Sequence, residues 1–199
     1  MDKLKAFYEN NKKTIIYPTL VMLIISVVIT LALSVTNSVT APTIEENARI
    51  EAKKAMTSLI KADKYTEGTV ELEGEEITYH TALKDKKVKG YIFTLYEDGY
   101  GGDVGVMVAV NTDCTVKTIK ILDASSETPG LGQNITNEEF YKQFEGKSFG
   151  LSTVKNGSAK AENEIDAVTS ATFSSEAVTN AVNKALECAE IITKGGAEK

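Results

Sequence analysis

The chain has 199 residues, which is room for one ordinary domain and a short appendage. Its 22 Lys and Arg residues against 28 Asp and Glu residues give a formal net charge of -6, and this balance argues against a nucleic-acid-binding protein, which normally carries a basic patch. With one His and two Cys that form no CxxC pair, the composition excludes most metal and catalytic sites built on paired imidazoles or thiolates. We therefore predict no metal site.

An uncharged apolar segment near the N-terminus predicts a membrane span. Residues 14–35 read TIIYPTLVMLIISVVITLALSV, and about 22 such residues suffice to cross a hydrocarbon core of ~30 Å. Pro18 falls in the first turn of this helix, where its missing N–H costs least. A cleaved signal peptide is the alternative, but its apolar core would be shorter and a small-residue cleavage site would follow.

The lysines at the N-terminus predict the orientation of the span. Lys3, Lys5, Lys12 and Lys13 all precede it, and basic residues remain on the cytoplasmic side of a membrane. We therefore expect residues 1–13 in the cytoplasm, a single span at residues 14–35 in the cell membrane, and an extracytoplasmic C-terminal domain.

A juxtamembrane helix or linker is predicted at residues 36–62. Thr43 followed three residues later by Glu46 forms a capping box, a typical helix start at which the Thr hydroxyl accepts a backbone N–H. Apolar residues at helical spacing then continue to about Ile60.

Residues 63–194 are predicted to form one α+β domain, with residues 195–199 as a tail. β-branched and aromatic residues, with short polar turns between them, predict an antiparallel sheet with hairpin connections. The predicted strands are TVELEG (69–74), EITYHTAL (76–83), KVKGYIFTLY (87–96), DVGVMVAV (103–110) and TVKTIKILD (115–123).

Helices are expected to flank this sheet. Thr136 and Glu139 form a second capping box, with Phe140 and Phe144 one turn apart in the helix that follows. Residues 153–166 are expected to be a loop or a short hairpin. A final helix is predicted from Ser175 to Thr193, capped by Ser174 or Ser175, and Gly195-Gly196 would end it.

The two cysteines lie far apart in the chain. Cys188 falls close to the apolar stripe of the final helix, which favours a small buried hydrophobic residue. A disulfide between Cys114 and Cys188 is the alternative, which only the extracytoplasmic compartment favours.

Two stretches are candidates for ligand binding. In SSETPGLGQN (125–134), Pro129, Gly130 and Gly132 allow a sharp bend that brings the backbone close to a planar ligand. A plain turn is the alternative.

The second candidate is DAVTSATFSSEAV (166–178), in which the hydroxyls of Thr169, Ser170 and Thr172 remain beyond those needed for capping. A helix N-terminus attracts phosphate, which these hydroxyls could hydrogen-bond or join covalently. Capping alone is again the alternative.

These same residues resemble a known family. DAVTSAT followed by FSSEAV is similar to the D-x-x-(S/T)-G-A-T motif of FMN-binding domains, and ETPGLG resembles their second signature. Such domains occur in the G subunit of Rnf-type ion-translocating ferredoxin:NAD oxidoreductases and in the related C subunit of sodium-pumping NADH:quinone reductases. The order of span, juxtamembrane helix and flavin domain also fits. Because the quinone-reductase proteins are usually longer, the resemblance favours the Rnf type.

The resemblance implies a covalent cofactor. In the family the last Thr of the motif, here Thr172, carries FMN through a phosphoester that a separate flavin transferase installs from FAD. Ser170 and Ala171 belong to the same cofactor-binding stretch. The family's Gly is Ser170 here, which would cost about 1–2 kcal/mol if φ must be positive, and its hydroxyl is a second candidate for attachment. Asp166 would orient the loop or assist metal binding during attachment, and an Asx-type turn is the plainer alternative for it.

The second signature is expected to contact the flavin ring. Thr128, Leu131 and Gly132 would approach the isoalloxazine, and Glu127 would brace the loop rather than touch flavin.

The implied function is electron transfer through FMN inside a complex that oxidises ferredoxin, reduces NAD and moves Na⁺ or H⁺ outward. The chain itself would hold no catalytic residue and would act with other membrane and redox subunits in the lipid bilayer. Besides the quinone-reductase protein, a sensor or binding ectodomain on a single span, without redox function, remains the alternative.

Overall fold

The structure, a computed structural model, describes Phe7 and residues 15–195. It divides into an N-terminal unit up to Glu51 and a C-terminal unit from Ala52. The four lysines that predict the orientation lie outside the described residues, as do the last residues of the predicted tail, 196–199.

The first helix, α1, runs from Tyr17 to Leu59. It is long and apolar enough to cross a membrane, and Pro18 is its second residue, as predicted. The N-cap predicted at Thr43 is wrong, because Thr43 and Pro42 lie inside the helix. Hydroxyls before this point bond back to the preceding turn, as in the 3.0 Å hydrogen bond from Thr40 Oγ1 to the Thr36 carbonyl. Polar residues are thereby accommodated without ending the helix.

Five strands form the antiparallel sheet that the sequence predicts. They are β1 (Lys64–Leu72), β2 (Glu75–Lys84), β3 (Lys87–Asp98), β4 (Asp103–Val110) and β5 (Val116–Asp123), in the order β1-β2-β3-β4-β5. The turn between β2 and β3 consists of Asp85 and Lys86, both with positive φ, which matches the twist of a two-residue hairpin. Strand β1 begins five residues before the predicted Thr69. The sequence does not reveal these first residues as a strand, because they are mostly exposed and lack a clear apolar pattern.

Both faces of the sheet are covered, which the alternation along β3 and β4 explains. Phe93 and Val108 point to one face and belong to the main core, together with the apolar side of the last helix. Ile92 and Met107 point to the other face, which packs against the end of α1. Strand β4 is therefore buried along nearly its whole length.

The segment after the sheet is less helical than predicted. A 3-10 turn (Gly132–Thr136), a single α-helical turn α2 (Glu138–Tyr141) and a second 3-10 turn (Lys142–Phe144) follow one another. The N-cap is Asn137, and no side chain caps α2. The capping box at Thr136 is wrong because its hydroxyl donates instead to the Gln133 carbonyl at 2.7 Å. The expected contact of Phe140 with Phe144 is confirmed, with ring centroids 5.6 Å apart.

Two short strands and a long helix complete the domain. Strands β6 (Ser152–Val154) and β7 (Glu164–Asp166) pair in parallel, so residues 153–166 are not the hairpin that was one of the two expectations. The final helix, α3, spans Thr172–Gly195 and begins earlier than predicted. Ser174 and Ser175 are buried inside its first turn and cap nothing.

Both cysteines are free thiols, and the disulfide considered from sequence is absent. Cys188 is fully buried in the main core, as its position on the apolar stripe predicts. Burial raises the pKa of the Cys188 thiol to about 11. The thiol therefore acts as a small core side chain.

Candidate functional site

Three segments of the C-terminal unit form a cleft of about 530 Å³. They are the turn between β3 and β4, the loop after β5, and the start of α3. The lining residues are Tyr100, Glu127, Thr128, Leu131, Gly132, Ser170, Ala171, Thr172, Phe173 and Ser174. All seven residues that the sequence nominates for the cofactor are among them, although their role in binding stays a prediction.

Thr172 is the first residue of α3, and its side chain is exposed. The first intrahelical hydrogen bond is donated by the Ser175 N–H to the Ala171 carbonyl at 3.0 Å. The N–H groups of Thr172, Phe173 and Ser174 therefore have no acceptor inside the helix. The Thr172 hydroxyl thus lies beside free N–H groups at the positive end of a long helix, where an anionic group is stabilised.

A tight turn precedes Thr172. Ser170 has a φ of 60°, so the position of the family's Gly requires the left-handed region and the expected strain on Ser is present. Ser175 holds this turn from inside the domain: its hydroxyl donates to the Ala171 carbonyl at 2.9 Å and accepts the Val168 N–H at 3.0 Å. This buried role explains why Ser175 does not cap the helix.

The Glu127 carboxylate connects the three segments. Its Oε1 accepts the N–H of Tyr100 at 2.7 Å and of Gly101 at 3.3 Å, and its Oε2 accepts the hydroxyl of Ser174 at 2.7 Å. The side chain is only 2% exposed. These contacts tie the loop after β5 to the β3–β4 turn and to α3, while the role of Glu127 toward flavin stays a prediction.

The loop after Glu127 turns sharply and presents both backbone and side chains to the cleft. Gly130 has a φ of 76°, and the Leu131 N–H donates to the Thr128 carbonyl at 3.1 Å. Thr128 and Leu131 are exposed, whereas Gly132 is buried against Glu127. A planar group can therefore lie against the backbone here.

Two aromatic residues in the cleft were missed by the sequence analysis. The rings of Tyr100 and Phe173 have centroids 6.3 Å apart with an interplanar angle of 34°, and the two side chains are 73% and 64% exposed. Tyr100 follows Gly99 in a turn, and Phe173 directly follows Thr172. A Tyr between two glycines, Gly99 and Gly101, was the sequence feature that could have indicated a functional residue. Its position beside Phe173 follows only from the fold.

A second cleft of about 660 Å³ adjoins the first, and both include Leu131 and Ser170. Asp166 lies here, and its Oδ1 accepts the N–H groups of Ser158 at 2.9 Å and Ala159 at 3.0 Å. The expected Asx turn within its own stretch is therefore wrong, because the carboxylate reaches back to fold the preceding loop. In the part of the chain that the structure describes, no three His, Cys, Asp or Glu side chains gather as metal ligands.

Two family models match the chain. The model described as the FMN-binding domain matches residues 99–187, and the model described as the RnfG N-terminal region matches residues 4–59. The first match contains every residue that lines the cleft. The second covers α1 and residues 4–16 before it.

Curated relatives are similar over much of their length. The G subunit of the Na(+)-translocating ferredoxin:NAD(+) oxidoreductase complex of Acetobacterium woodii is 32% identical over 191 residues, covering 88% of this chain and 91% of the relative. The G subunit of the proton-translocating ferredoxin:NAD(+) oxidoreductase complex of Clostridium ljungdahlii is 36% identical over 117 residues, 59% and 62% of the two chains. The G subunit of the ion-translocating oxidoreductase complex of Escherichia coli K12 is 26% identical over 162 residues, 75% and 78% of the two chains.

A solved structure has a similar fold. The crystal structure of the C subunit of the Na(+)-translocating NADH-quinone reductase from Parabacteroides distasonis aligns with a TM-score of 0.54 at 23% identity, covering 72% of this chain and 81% of that one. The match to the FMN-binding domain, which contains the cleft, thus defines a flavin-domain protein with a long apolar helix at its N-terminus. The chain belongs to the family of G subunits of the ion-translocating ferredoxin:NAD(+) oxidoreductase complexes, as its two motifs imply.

Proposed function

We propose that this chain is the membrane-anchored electron-transfer subunit of an ion-translocating ferredoxin:NAD(+) oxidoreductase complex, and that it carries FMN on Thr172. One observation carries the proposal: Thr172 opens α3 in the same cleft as the loop of the second signature. The relatives named as G subunits and the match to an FMN-binding domain support it.

The residues of the cleft fit FMN at both ends of the molecule. The N-terminus of α3 offers free N–H groups for a phosphate, and a phosphodiester keeps one negative charge for the helix dipole to stabilise. The rings of Tyr100 and Phe173 and the apolar side chain of Leu131 offer contacts to a planar ring. A cleft of about 530 Å³ also lies within the size range of cofactor sites.

The attachment we propose is a group transfer to the Thr172 hydroxyl. The Thr172 oxygen forms the new bond to the flavin-side phosphorus of FAD, the bond from that phosphorus to AMP breaks, and the hydroxyl proton is released. A separate flavin transferase would bring FAD, so this enzyme is a partner in maturation. The exposure of Thr172 gives such an enzyme access.

FMN, when bound, supplies a centre that takes up and releases electrons one at a time. The chain's own residues would orient it: the start of α3 holds the phosphate end, and Thr128, Leu131 and Gly132 contact the ring. Two cysteines, of which Cys188 is fully buried, cannot ligate an iron–sulfur cluster. Electron donors and acceptors therefore belong to other subunits.

We further propose that α1 anchors the chain in the cell membrane with residues 1–13 in the cytoplasm and the flavin domain outside. The length and hydropathy of α1 and the position of the four lysines before it support this orientation. Labelling Cys114 with a membrane-impermeant maleimide in intact cells tests it, since Cys114 is partly exposed. Labelling only after lysis would contradict an extracytoplasmic domain.

Intact mass spectrometry of the full chain, produced together with a flavin transferase, tests the cofactor. We expect the mass of the polypeptide plus FMN less one water, and fluorescence that stays with the band on a denaturing gel. A chain produced without the transferase is the control and should be unmodified. An unmodified mass after co-production would contradict the proposal and favour a non-redox ectodomain.

A further inference from the structure

A buried carboxylate lies in the wall of the flavin cleft. Glu127 is 2% exposed, and a carboxylate is costly to bury unless its oxygens are hydrogen-bonded. Here Oε1 accepts the backbone N–H groups of Tyr100 and Gly101, and Oε2 is bonded to the Ser174 hydroxyl. Because backbone N–H groups can only donate, Oε1 acts as the acceptor of both bonds.

The backbone closes around this carboxylate from two sides. A Cβ added at Gly99 would lie 2.1 Å from Oε1, and one added at Gly132 would lie 2.2 Å from Oε2. Both distances are far below a van der Waals contact, so a larger residue at either position would have to displace the carboxylate. The carboxylate is thus held in one place between the β3–β4 turn and the loop that contains it.

No basic side chain pairs with Glu127 among the described residues. The ion pairs found there join Lys142 to Glu138, Lys184 to Glu97, and Lys194 to Glu190. The partners of Glu127 are instead two backbone N–H groups and one hydroxyl. A negative charge stabilised by dipoles alone remains effective over a distance of several ångströms, because no opposite unit charge cancels it.

We propose that Glu127 is a positioning residue for the flavin, and that its fixed charge lowers the reduction potential of this site. The inference rests on the proposed function. Reduction of a flavin in the cleft adds negative charge near Glu127. The negative charge of Glu127 repels this added charge and therefore disfavours reduction. Two like unit charges about 10 Å apart at an effective dielectric constant of about 20 disfavour the charged state roughly tenfold or more. Fixed charges of this kind are a means by which proteins tune cofactors.

The variant Glu127→Gln isolates the charge. Its carbonyl oxygen can still accept the Tyr100 N–H, and its NH₂ group can donate to the Ser174 hydroxyl, so the links between the three segments remain. Glu139→Gln is the matched control, because Glu139 is exposed and lines only the adjoining cleft.

The measurement is spectroelectrochemical titration of the flavinylated full chain in detergent, after intact mass has verified the adduct. We expect E127Q to shift the one-electron equilibrium toward the reduced form by roughly tenfold, which corresponds to a rise of about 59 mV. E139Q should keep the wild-type midpoint. A midpoint of E127Q equal to that of E139Q overturns the inference.

Ser174→Ala is the second variant, and it decides the question if E127Q does not fold or takes up no flavin. It keeps the charge of Glu127 but removes one donor to it, so we expect a midpoint below that of the wild type. A midpoint at or above the wild-type value overturns the inference. If the wild type itself carries no adduct, the proposed function fails at the mass measurement, and the inference fails with it. If the adduct is present and the midpoints do not move, only the inference fails.

Discussion

The hydroxyl of Ser174 donates a 2.7 Å hydrogen bond to the carboxylate of Glu127, 47 residues earlier in the chain. This bond joins the two stretches that carry the family's motifs, and both of its ends are buried. The cleft therefore depends on a contact between segments that no local pattern connects. The two sides of the cleft have different structures: the N-terminus of α3 forms one side, and a glycine-rich loop forms the other.

Thr172→Ala is expected to abolish covalent flavin while leaving the fold intact. The side chain is exposed, and exposed substitutions usually change the free energy of unfolding by less than about 0.5 kcal/mol. Intact mass after co-production with the transferase measures the adduct, and thermal unfolding measures stability. Thr169→Ala is the control, since Thr169 is also exposed but lines only the adjoining cleft. An adduct that persists in T172A would move the attachment site, with Ser170 the first candidate.

Ser170→Gly is expected to stabilise the domain. Ser170 has a φ of 60°, and relieving a left-handed conformation is worth about 1 kcal/mol, or about 2–4 °C in the unfolding temperature of a domain this size. Ser170→Ala is the matched control, because it removes the hydroxyl but keeps the strain. Equal unfolding temperatures for S170G and S170A would show that the strain carries no cost.

The two cysteines are expected to react with alkylating reagents at very different rates. Cys114 is partly exposed, whereas burial raises the pKa of Cys188 to about 11, so at pH 8 almost none of the Cys188 thiol is ionised in the folded chain. We expect iodoacetamide at pH 8 to modify Cys114 first and Cys188 only after denaturation. Peptide mapping under non-reducing conditions measures both. Protection of both residues until a reductant is added would contradict free thiols.

The same raised pKa predicts a loss of stability at alkaline pH. The unfolded thiol ionises near pH 8.5, while folded Cys188 stays protonated up to about pH 11. The unfolded state alone therefore releases a proton in this window, so the contribution of Cys188 to the free energy of unfolding falls as pH rises from about 8.5 to 11. Cys188→Ala should show a shallower decline than the wild type in denaturant titrations. Parallel curves would contradict the assignment.

A fragment of residues 37–199 is expected to be soluble and able to accept flavin. It retains the end of α1 and the residue after it, so that Ala55, Leu59 and Ile60 still pack against the second face of the sheet. A fragment of residues 63–199 is the contrasting variant. It loses these side chains, and burial of each Leu or Ile contributes about 1.5–3 kcal/mol, so we expect it to aggregate. Size-exclusion chromatography distinguishes the two, and aggregation of both would contradict an independent flavin domain.

Three predicted helix caps fail, two because the hydroxyl has another hydrogen-bond partner and one because no helix begins there. A hydroxyl at a helix start is a local signal, and the same hydroxyl has other acceptors once the chain is folded. Thr136 bonds to a carbonyl three residues earlier, Ser175 anchors a buried turn, and Thr43 lies within a helix that simply continues. The strands were predicted better, since the side chains of a strand alternate between two faces and the resulting pattern extends over several residues.

The amino-acid sequence by itself determined the apolar N-terminal segment, the five antiparallel strands and the two motifs whose residues line one cleft. These features are repeated or contiguous patterns, because the burial of a face imposes a period on the residues that form it. Only the tertiary structure decided that Tyr100 lies beside Phe173 and that Glu127 is buried between two glycines and Ser174. Each of these relationships joins residues from separate elements, and which atoms meet depends on how the elements pack against one another.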